Sequence, residues 1–195
     1  MNQVKFFNSI AKDWDNIIKV DEKKINYLLS KIDIKEDDYI LDVGTGTGVL
    51  IPFLVKLCPK GKIKAVDISC NMLDVARKKF NDINNVEFIL LNVETDKLDE
   101  KFNKIVLYSM FPHLKDKTNT IKKLVQNNLL DCGKLIIAHS DSREYLNNMH
   151  KNTDKRVRES RLIDVNEQKK IFEDAGLKVE EAFEDDNIYY VVLEK

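Results

Sequence analysis

The sequence is poor in several residue types that mark particular classes of protein. Its 195 residues include only three cysteines, three prolines and one tryptophan. Cys58, Cys70 and Cys132 are odd in number and match no metal-ligand spacing, so we expect neither a disulfide framework nor a cysteine-bound metal. No apolar run approaches the roughly 18 residues of a membrane helix, and no signal-peptide pattern opens the chain. These absences predict a cytoplasmic protein.

The chain also lacks an excess of charge of either sign. Lysine and arginine number 32 and aspartate and glutamate 33, which gives a net charge of −1. A nearly neutral chain has no overall field that draws it to nucleic acid or to an anionic membrane, so we expect neither partner. With 43% hydrophobic and 33% charged residues, the composition is that of a soluble globular protein. The length predicts one domain, residues 1–195.

Glycine is scarce, and half of it lies in one short segment. Of the six glycines, Gly44, Gly46 and Gly48 alternate with threonines directly after the apolar run Tyr39–Val43. An apolar run, a glycine turn and a second apolar segment predict strand, turn and helix, the first half of a nucleotide-binding βαβ unit. Glycine suits such a turn because a Cβ atom would hold a ligand off the backbone, and because some turn positions need a positive φ.

Two carboxylates near this segment narrow the choice of ligand. Asp42 lies on the strand just before the turn, where it would repel a pyrophosphate but suit an ammonium group. Asp67 ends the next predicted strand, 19 residues after Gly48, where an acidic side chain can hydrogen-bond ribose hydroxyls. The glycine spacing also differs from the Gly-x-Gly-x-x-Gly of dinucleotide folds. A ligand with an amino acid at one end and a ribose at the other is S-adenosylmethionine, which we predict as the cofactor.

With these residues the sequence resembles the class I S-adenosylmethionine-dependent methyltransferases. The opening segments Phe6–Ala11 and Asp13–Asp15 are similar to the N-terminal lid of small bacterial members near the ubiquinone and menaquinone methyltransferases. The resemblance covers nearly the whole chain and implies a Rossmann-like sheet of seven strands whose last strand is antiparallel. The other matching segments are Leu41–Gly48, Val66–Asp67, Ser69–Leu73 and, as the turn before strand five, Asp131–Leu135.

Alternating strands and helices predict an α/β fold, a doubly wound and mostly parallel sheet with helices on both faces. Residues 1–37 are predicted to be helical, and helices are also expected at about 49–58, 70–80 and 115–130. The last helix is predicted to begin after Asp164 and to stop at Gly176. The predicted strands are Tyr39–Val43, Lys62–Asp67, Val86–Leu91, Lys104–Met110, Lys134–Ala138 and an antiparallel hairpin of Leu177–Phe183 with Ile188–Leu193.

In a parallel sheet, ligands bind beyond the carboxyl ends of the strands, where the strand order reverses. Asp67 is predicted to accept from both ribose hydroxyls, while Asp42 is expected either to help hold the methionine end or to cap loop amides. Asn92 stands where the family usually has an acidic residue that recognises the adenine edge. The predicted cofactor-binding residues are Asp42, Gly44, Thr45, Gly46, Gly48, Asp67, Ile68, Met72, Asn92, Val93 and Ser109.

The chain has three histidines, two of which follow strands at this same edge. His113 and His139 come after the fourth and fifth strands, and His150 lies in a polar insertion, residues 139–163. Three interpretations remain open: a polar acceptor pocket with one histidine as general base, a site for a metal ion or metal-containing substrate, and ordinary surface or capping residues. We take His113 and His139 as the candidate catalytic residues. We predict no metal, and the three histidines are the candidate ligands if one is bound.

The insertion is expected to cover the acceptor pocket. If residues 142–150 form a helix, Arg143, Asn147 and His150 share a polar face, while Leu146 and Met149 point elsewhere. The basic run 155–161 is either an electropositive rim or a solvated helix face. An aromatic lid or core packing are the two interpretations of Phe6, Phe7 and Trp14. The predicted acceptor-pocket residues are Phe111, His113, His139, Arg143, Asn147 and His150.

These residues predict S-adenosylmethionine-dependent methyl transfer, by in-line displacement, to a small-molecule acceptor. Nucleic-acid bases are disfavoured as acceptors, because Tyr108–His113 stands where enzymes that methylate them carry Asn-Pro-Pro-Tyr or Asp-Pro-Pro-Tyr, and no basic stripe appears. The alternatives are a metal-dependent methyltransferase, a non-catalytic cofactor-binding protein and, less favoured, a nicotinamide-dependent oxidoreductase. Either a monomer or a homodimer is expected.

Overall fold

The computed structural model describes residues 3–154 and 156–195, and Met1, Asn2 and Lys155 lie outside the described residues. Within this part of the chain seven strands form one sheet. The strands are β1 (Tyr39–Val43), β2 (Lys62–Asp67), β3 (Val86–Leu90), β4 (Phe102–Tyr108), β5 (Leu129–His139), β6 (Lys178–Glu184) and β7 (Tyr189–Glu194).

The sheet has the order β3-β2-β1-β4-β5-β7-β6. The strands from β3 to β5 pair in parallel, whereas β7 runs antiparallel to both β5 and β6. This arrangement confirms the predicted seven-stranded, mostly parallel sheet with an antiparallel last strand. The chain leaves β1 toward β2 and β3 and then returns to β4 on the other side of β1. The strand order therefore reverses between β1 and β4, which is where such sheets bind ligands.

Helices cover both faces of this sheet, as predicted. Within the N-terminal region expected to be helical, three separate helices form. The helices are α1 (Gln3–Ile10), α2 (Trp14–Ile17), α3 (Glu22–Ser30), α4 (Ile51–Leu57), α5 (Cys70–Lys79), α6 (Lys117–Lys123), α7 (Arg143–Asn152) and α8 (Val165–Asp174). Among the described residues, none of the helices is long and apolar enough to cross a membrane.

The core consists of two apolar clusters, one on each face of the sheet. Successive residues of the central strands alternate between them, because side chains of a strand point to opposite faces. On β1, Leu41 joins one cluster and Ile40 the other. Ile25, Leu28 and Leu29 form one face of α3 and are buried in the second cluster, while α6, α7 and α8 contribute to the first. Both faces of the sheet are thus covered, which explains why the central strands are almost continuously apolar.

The largest departure from the predicted elements is the start of β5. The preceding helix was expected to reach residue 130, but it loosens into a π-helical segment, Leu124–Asn128, and β5 begins at Leu129. The buried amide of Asn128 donates to the carbonyl oxygens of Leu98 and Glu100 at 2.8 and 2.9 Å. These long-range hydrogen bonds stabilise the end of the helix at Asn128, and no local pattern in the sequence indicates them.

The predicted ends of α8 are confirmed. The Asp164 carboxylate accepts from the backbone N–H groups of Asn166 and Glu167, which leaves fewer amides unpaired at the N-terminus. At the other end Gly176 has a φ of 81°, and its N–H donates to the carbonyl of Glu173. A Cβ atom on Gly176 would have nothing within 4 Å, so only the backbone conformation favours glycine there.

Gly48 also has a positive φ, of 84°, but its surroundings are crowded. A Cβ atom at this position would lie 2.5 Å from Cε2 of Phe80 and 3.2 Å from Cγ1 of Ile51. Gly48 therefore lets the loop after β1 pack against Phe80, the residue that follows α5.

We predict that Gly48→Ala costs more stability than Gly176→Ala. Both variants place alanine in the left-handed region, at about 1–2 kcal/mol of unfolding free energy. Only Gly48→Ala also overlaps a neighbouring side chain, which adds about 1–3 kcal/mol. Urea unfolding followed by circular dichroism measures both values. Equal losses for the two variants would show that Phe80 moves aside without cost.

Candidate functional site

A large cavity opens at the carboxyl ends of the parallel strands, beside the point where β1 and β4 are neighbours. Its volume is about 1250 Å³, above the roughly 300–1000 Å³ of a cleft for one ligand. All of the predicted cofactor-binding residues except Gly48 line it. The rest of the lining comes mainly from α1, α2, α7, residues 110–117 and residues 156–160. The cavity is therefore large enough for a cofactor together with a second molecule.

The glycine loop is held against β2 by its own backbone. The N–H groups of Gly44 and Thr45 both donate to the carbonyl of Val66, at 2.8 and 3.0 Å. A Cβ atom on Gly44 would lie 2.7 Å from Cβ of Met110, whereas one on Gly46 would meet only Trp14 Nε1, at 3.8 Å. Gly46 thus leaves open space at the cavity wall. Gly48 does not line the cavity, so its predicted place in the cofactor site is corrected to a packing position beside Phe80.

Asp67 joins the end of β2 to the glycine loop. One carboxylate oxygen accepts from the N–H of Gly46 at 2.9 Å, and the other accepts from the N–H of Ser69 at 2.8 Å. Burial raises the pKa of Asp67, and these backbone hydrogen bonds oppose the rise. Each carboxylate oxygen has a further lone pair, and the residue lines the cavity. Asp67 is therefore suitably placed to accept hydrogen bonds from ribose hydroxyls. This contact stays a prediction.

Asp42 is buried at the cavity wall without a partner for one of its oxygens. The residue is 1% exposed, and both Asp42 Oδ2 and Thr45 Oγ1 have no hydrogen-bond partner among the described residues. Burial raises the pKa of Asp42 to about 7, with Thr45 opposing and Asp67 adding to the shift. The alternative role of Asp42, capping the loop amides, is not seen in the structure. A ligand that brings a hydrogen-bond donor or a positive charge would satisfy these atoms.

Four further predicted cofactor residues complete this end of the cavity. Ile68 and Met72 follow β2, and Val93 lies beyond β3. The Asn92 side-chain oxygen accepts from the N–H of Glu94 at 3.0 Å, while within the described chain its amide nitrogen makes no hydrogen bond. The Asn92 amide nitrogen can therefore donate to a ligand. The side chain has no second oxygen, so it lacks the unengaged acceptor that an acidic residue would offer at this position.

Ser109 has an unusual backbone conformation at the end of β4. Its φ is 54°, a value that residues other than glycine rarely adopt, and it lines the cavity. Such conformations persist only where surrounding contacts enforce them, and they are concentrated at functional sites. Here the Ser109 N–H donates to the carbonyl of Ala138 at 2.9 Å, which holds the turn against β5.

Two of the three histidines meet at the opposite end of the cavity. The rings of His113 and His150 are 5.1 Å apart between centroids, and both residues line the cavity. Nδ1 of His113 is 2.9 Å from the Ser160 hydroxyl, and Nδ1 of His150 is 2.6 Å from the Ser160 carbonyl oxygen. Burial lowers the pKa of His113 to about 3 and also lowers that of His150, so both rings are neutral at pH 7.

Two residues predicted for the acceptor pocket lie in the core beneath it instead. His139 is 1% exposed and does not line the cavity. Its ring faces Tyr189 across the β5–β7 pair, with centroids 6.0 Å apart, and neither ring nitrogen has a partner among the described residues. Phe111 is fully buried and packs edge-to-face against Phe172 of α8. Phe111 follows β4 as predicted, whereas His139, which was predicted to follow the fifth strand, is the last residue of β5. Neither side chain lines the cavity.

Helix α7 forms as expected, but it turns a different face to the cavity. Arg143 pairs with Glu184 of β6 at 2.9 Å, and Asn147 exchanges two hydrogen bonds with the backbone of Leu162. Neither lines the cavity, whereas Leu146 and Met149, which were predicted to point elsewhere, do. Arg143 and Asn147 thus bind other parts of the fold, and the face with Leu146 and Met149 is turned to the cavity. His150 lies at the border between the polar face and the apolar face of α7.

Helices α1 and α2 line one side of the cavity with aromatic side chains, where the sequence predicted either a lid or core packing. Phe6, Phe7 and Trp14 all line it, and the Phe7 ring contacts both Trp14 and His113 edge-to-face. Polar contacts fix the lid to the sheet side. Asp15 accepts from Thr47 of the glycine loop at 2.5 Å and from Lys79 of α5 at 2.7 Å. The lid interpretation of the aromatic residues therefore agrees with their placement.

Among the described residues of the run 155–161, Arg156 is the one basic side chain that lines the cavity. Arg156 lies over the Phe6 ring at 5.2 Å and pairs with Asp154 at 2.7 Å, while Arg158 and Arg161 are exposed. Among the described residues, no group of three or more His, Cys, Asp or Glu side chains is placed to hold a metal ion.

Sequence reasoning missed the residues that connect the parts of the site. Ser160, which holds both histidines, lies in a polar segment without periodicity and gave no signal. Asp15 belongs to the opening segment Asp13–Asp15 and lies in the first turn of α2, so an acidic residue there was a usable clue to an anchoring contact.

Comparisons with known proteins place the chain among methyltransferases. A family described as Methyltransferase domain matches residues 34–176. Over 123 residues, 62% of this chain and 43% of the relative, the sequence is 37% identical to a malonyl-[acyl-carrier protein] O-methyltransferase of Acetivibrio thermocellus. A protein of the same name from Priestia megaterium is 30% identical over 69% of this chain and 49% of its own length. The chain spans about half the length of these curated relatives.

A solved structure extends the similarity to nearly the whole chain. A SAM dependent methyltransferase from Aquifex aeolicus superposes with a TM-score of 0.73 at 25% sequence identity. The match covers 95% of this chain and 97% of that one. The glycine loop, the strand ends and both histidines of the cavity lie within the part of the chain that the family match covers.

We predict that Asp42 makes stability fall as pH rises from about 4 to about 7. The pKa of Asp42 is about 7 in the folded state and about 3.9 in an unfolded chain. Between these values the folded state binds more protons, so the free energy of unfolding decreases with pH and levels off above pH 7.

The change Asp42→Asn should remove this dependence. Relative to the variant, the wild-type protein is expected to lose about 2–4 kcal/mol across that interval, because each pKa unit is worth about 1.4 kcal/mol. Urea unfolding of both proteins at several pH values measures the difference. A difference that stays constant with pH would contradict the raised pKa.

Proposed function

The chain belongs to the S-adenosylmethionine-dependent methyltransferases, and we propose that it methylates a small-molecule acceptor bound beneath α7. One observation carries the proposal: a single cavity joins a glycine loop with two buried carboxylates to a second compartment closed by α1, α7 and residues 156–160. The cofactor supplies a methyl group on a sulfonium centre. Because that group is already activated, the protein mainly has to hold and align the acceptor and exclude water.

The residues at the cofactor end fit such a molecule. The unpartnered atoms Asp42 Oδ2 and Thr45 Oγ1 suit an ammonium or other donor at the amino-acid end, directly or through water. The open space beside Gly46 permits close approach to the backbone. Asp67 would accept from the ribose hydroxyls, Ile68 and Met72 would enclose the adenine, and the Asn92 amide would donate to its edge.

The N-terminal helices and the insertion would perform complementary tasks. We assign residues 1–37 to a lid and residues 139–163 to the acceptor side of one methyltransferase domain. Phe6, Phe7 and Trp14 would exclude water from the methyl group and strengthen the electrostatic interactions in the cavity. Asp15 supports this role because it ties the lid to both the glycine loop and α5.

A second candidate acceptor is a malonyl thioester, methylated on its carboxylate. The names of the two malonyl-[acyl-carrier protein] O-methyltransferase relatives support it, and one observation on this chain favours it. Lys117 lines the cavity with an ammonium that donates to the Leu114 carbonyl at 3.0 Å and has further donors for a carboxylate. A carboxylate is already deprotonated at neutral pH, so this reaction needs no base.

We predict that S-adenosylhomocysteine stabilises the protein and that Gly46→Ala weakens its binding. At about 100 times its Kd the ligand adds about 2.7 kcal/mol, which raises Tm by a few degrees. An alanine methyl at position 46 has room in the fold but occupies the space at the cavity wall. We expect binding of S-adenosylhomocysteine, measured by calorimetry, to weaken more than about tenfold, or about 1.4 kcal/mol.

Gly176→Ala is the matched control, because Gly176 also has a positive φ, 81° against 57° for Gly46, and lies outside the cavity lining. It should lose similar stability to Gly46→Ala and bind the ligand as the wild-type protein does. Equal binding by all three proteins would contradict the placement of the cofactor. Absence of a thermal shift in the wild-type protein would contradict its use altogether.

A further inference from the structure

Ser160 contacts both histidines of the cavity, His150 through its backbone carbonyl and His113 through its side-chain hydroxyl. Its carbonyl oxygen lies 2.6 Å from His150 Nδ1, and its hydroxyl lies 2.9 Å from His113 Nδ1. The hydroxyl also accepts from the side-chain amide of Gln3, at 3.3 Å. One residue of the insertion thus connects α7, the turn after β4 and the lid.

The contact with a carbonyl determines the tautomer of His150. A carbonyl oxygen only accepts, so Nδ1 of His150 must carry the proton in this hydrogen bond. A neutral imidazole has one N–H, and therefore Nε2 of His150 has a free lone pair. The Ser160 hydroxyl can donate or accept, so the same argument leaves the tautomer of His113 open.

The lone pair of His150 is available to a ligand. His150 lines the cavity, and within the described residues Nε2 makes no hydrogen bond. Both ring nitrogens of His139 are buried without a hydrogen-bond partner among the described residues. Nε2 of His150 does not belong to this group of buried, unpartnered atoms. Nε2 is therefore a fixed hydrogen-bond acceptor at the acceptor end of the cavity.

We propose that His150 is the catalytic base of this site, and that the acceptor is a hydroxyl or amine compound that must lose a proton. This inference rests on the proposed methyl transfer and selects one class of acceptor within it. The carbonyl of Ser160 acts as the positioning group, because it holds the ring in the tautomer that can accept a proton.

The proton transfer is balanced within the site. The acceptor's O–H or N–H bond breaks, and its electron pair stays on the oxygen or nitrogen that bonds to the methyl carbon. The bond between that carbon and the sulfonium sulfur would break in the same displacement, and its electron pair would stay on sulfur, so that S-adenosylhomocysteine is the leaving group. The proton passes to Nε2 of His150, whose lone pair forms the new N–H bond. The resulting imidazolium keeps its Nδ1–H hydrogen bond to Ser160, which is stronger when the donor is charged.

The surroundings keep His150 neutral before the reaction. Burial lowers its pKa, and the hydrogen bond to Ser160 opposes that effect. Two titratable groups interact with it directly, His113 at 5.1 Å between ring centroids and His139, while the charged residues Lys117, Arg156 and Glu159 line the same cavity. Burial also lowers the pKa of His113, to about 3, with His150 and Lys117 adding to the shift.

Nitrogen NMR tests the tautomer without any acceptor. In protein with ¹⁵N-labelled histidine and bound S-adenosylhomocysteine, His150 should show a protonated Nδ1 and an unprotonated Nε2 at pH 7. Titration should give a pKa below 6.5, the usual value for histidine. A proton on Nε2 instead of Nδ1 would overturn the proposal.

The activity test uses His150→Asn, whose amide nitrogen can replace Nδ1 as the donor to Ser160 but offers no base. Lys151→Asn is the control, since Lys151 is the exposed next residue of α7. Catechol and benzylamine serve as hydroxyl and amine probes, and malonyl-acyl carrier protein as the carboxylate probe. We expect His150→Asn to lower kcat on the first two by about 10²-fold or more, with S-adenosylhomocysteine affinity unchanged. It should also remove the decrease in kcat of the wild-type protein at acid pH.

Each result separates the two proposals. Wild-type kcat in His150→Asn, or transfer only to the carboxylate probe, would overturn the role of His150 and leave methyl transfer intact. Transfer to none of the probes while S-adenosylhomocysteine binds would contradict the proposed function, and with it the role of His150. A loss of activity in Lys151→Asn equal to that in His150→Asn would show a general effect on α7 and would also overturn the assignment.

Discussion

The hydrogen bonds that tie the glycine loop to the end of β2 are the constraint on which the site depends. Val66 receives two backbone N–H groups of the loop, and the Asp67 carboxylate receives a third from Gly46. These bonds hold the loop in positive-φ conformations, and the cavity wall beside Gly46 is left open. The lid is attached to the same loop through Thr47 and Asp15. A change in this loop would therefore alter the cofactor end and the lid together.

The two ends of the cavity differ in how their polar groups are satisfied. Beside the glycine loop, Asp42 and Thr45 each leave a buried oxygen without a partner among the described residues, a costly arrangement that a ligand can relieve. At the acceptor end the polar side chains are mostly engaged: Arg156 with Asp154, and both histidines with Ser160. Among the described residues, Nε2 of His150 and the ammonium of Lys117 still have hydrogen-bonding capacity for an incoming molecule.

Helix α7 shows how far sequence periodicity can predict a site. Spacing correctly indicated a helix and correctly grouped Arg143 with Asn147, but it assigned this face to the cavity. Periodicity gives the angles between side chains on a helix and not the direction in which the helix is turned. That direction depends on Glu184 and Leu162, which are distant in sequence and provide partners for the polar face. His139 was misplaced for a related reason, because the pleat of β5 turns its side chain toward Tyr189.

The sequence by itself determined the seven-stranded α/β sheet, the glycine loop and the two carboxylates of the cofactor end. These features are local, since each follows from a short run of residues whose backbone conformation depends on its own composition. Only the tertiary structure decided the acceptor end, where Ser160 joins His113 and His150, and Phe111 and His139 turn into the core. Contacts between residues far apart in the chain depend on how helices pack on the sheet, and the packing of large side chains has no short sequence pattern.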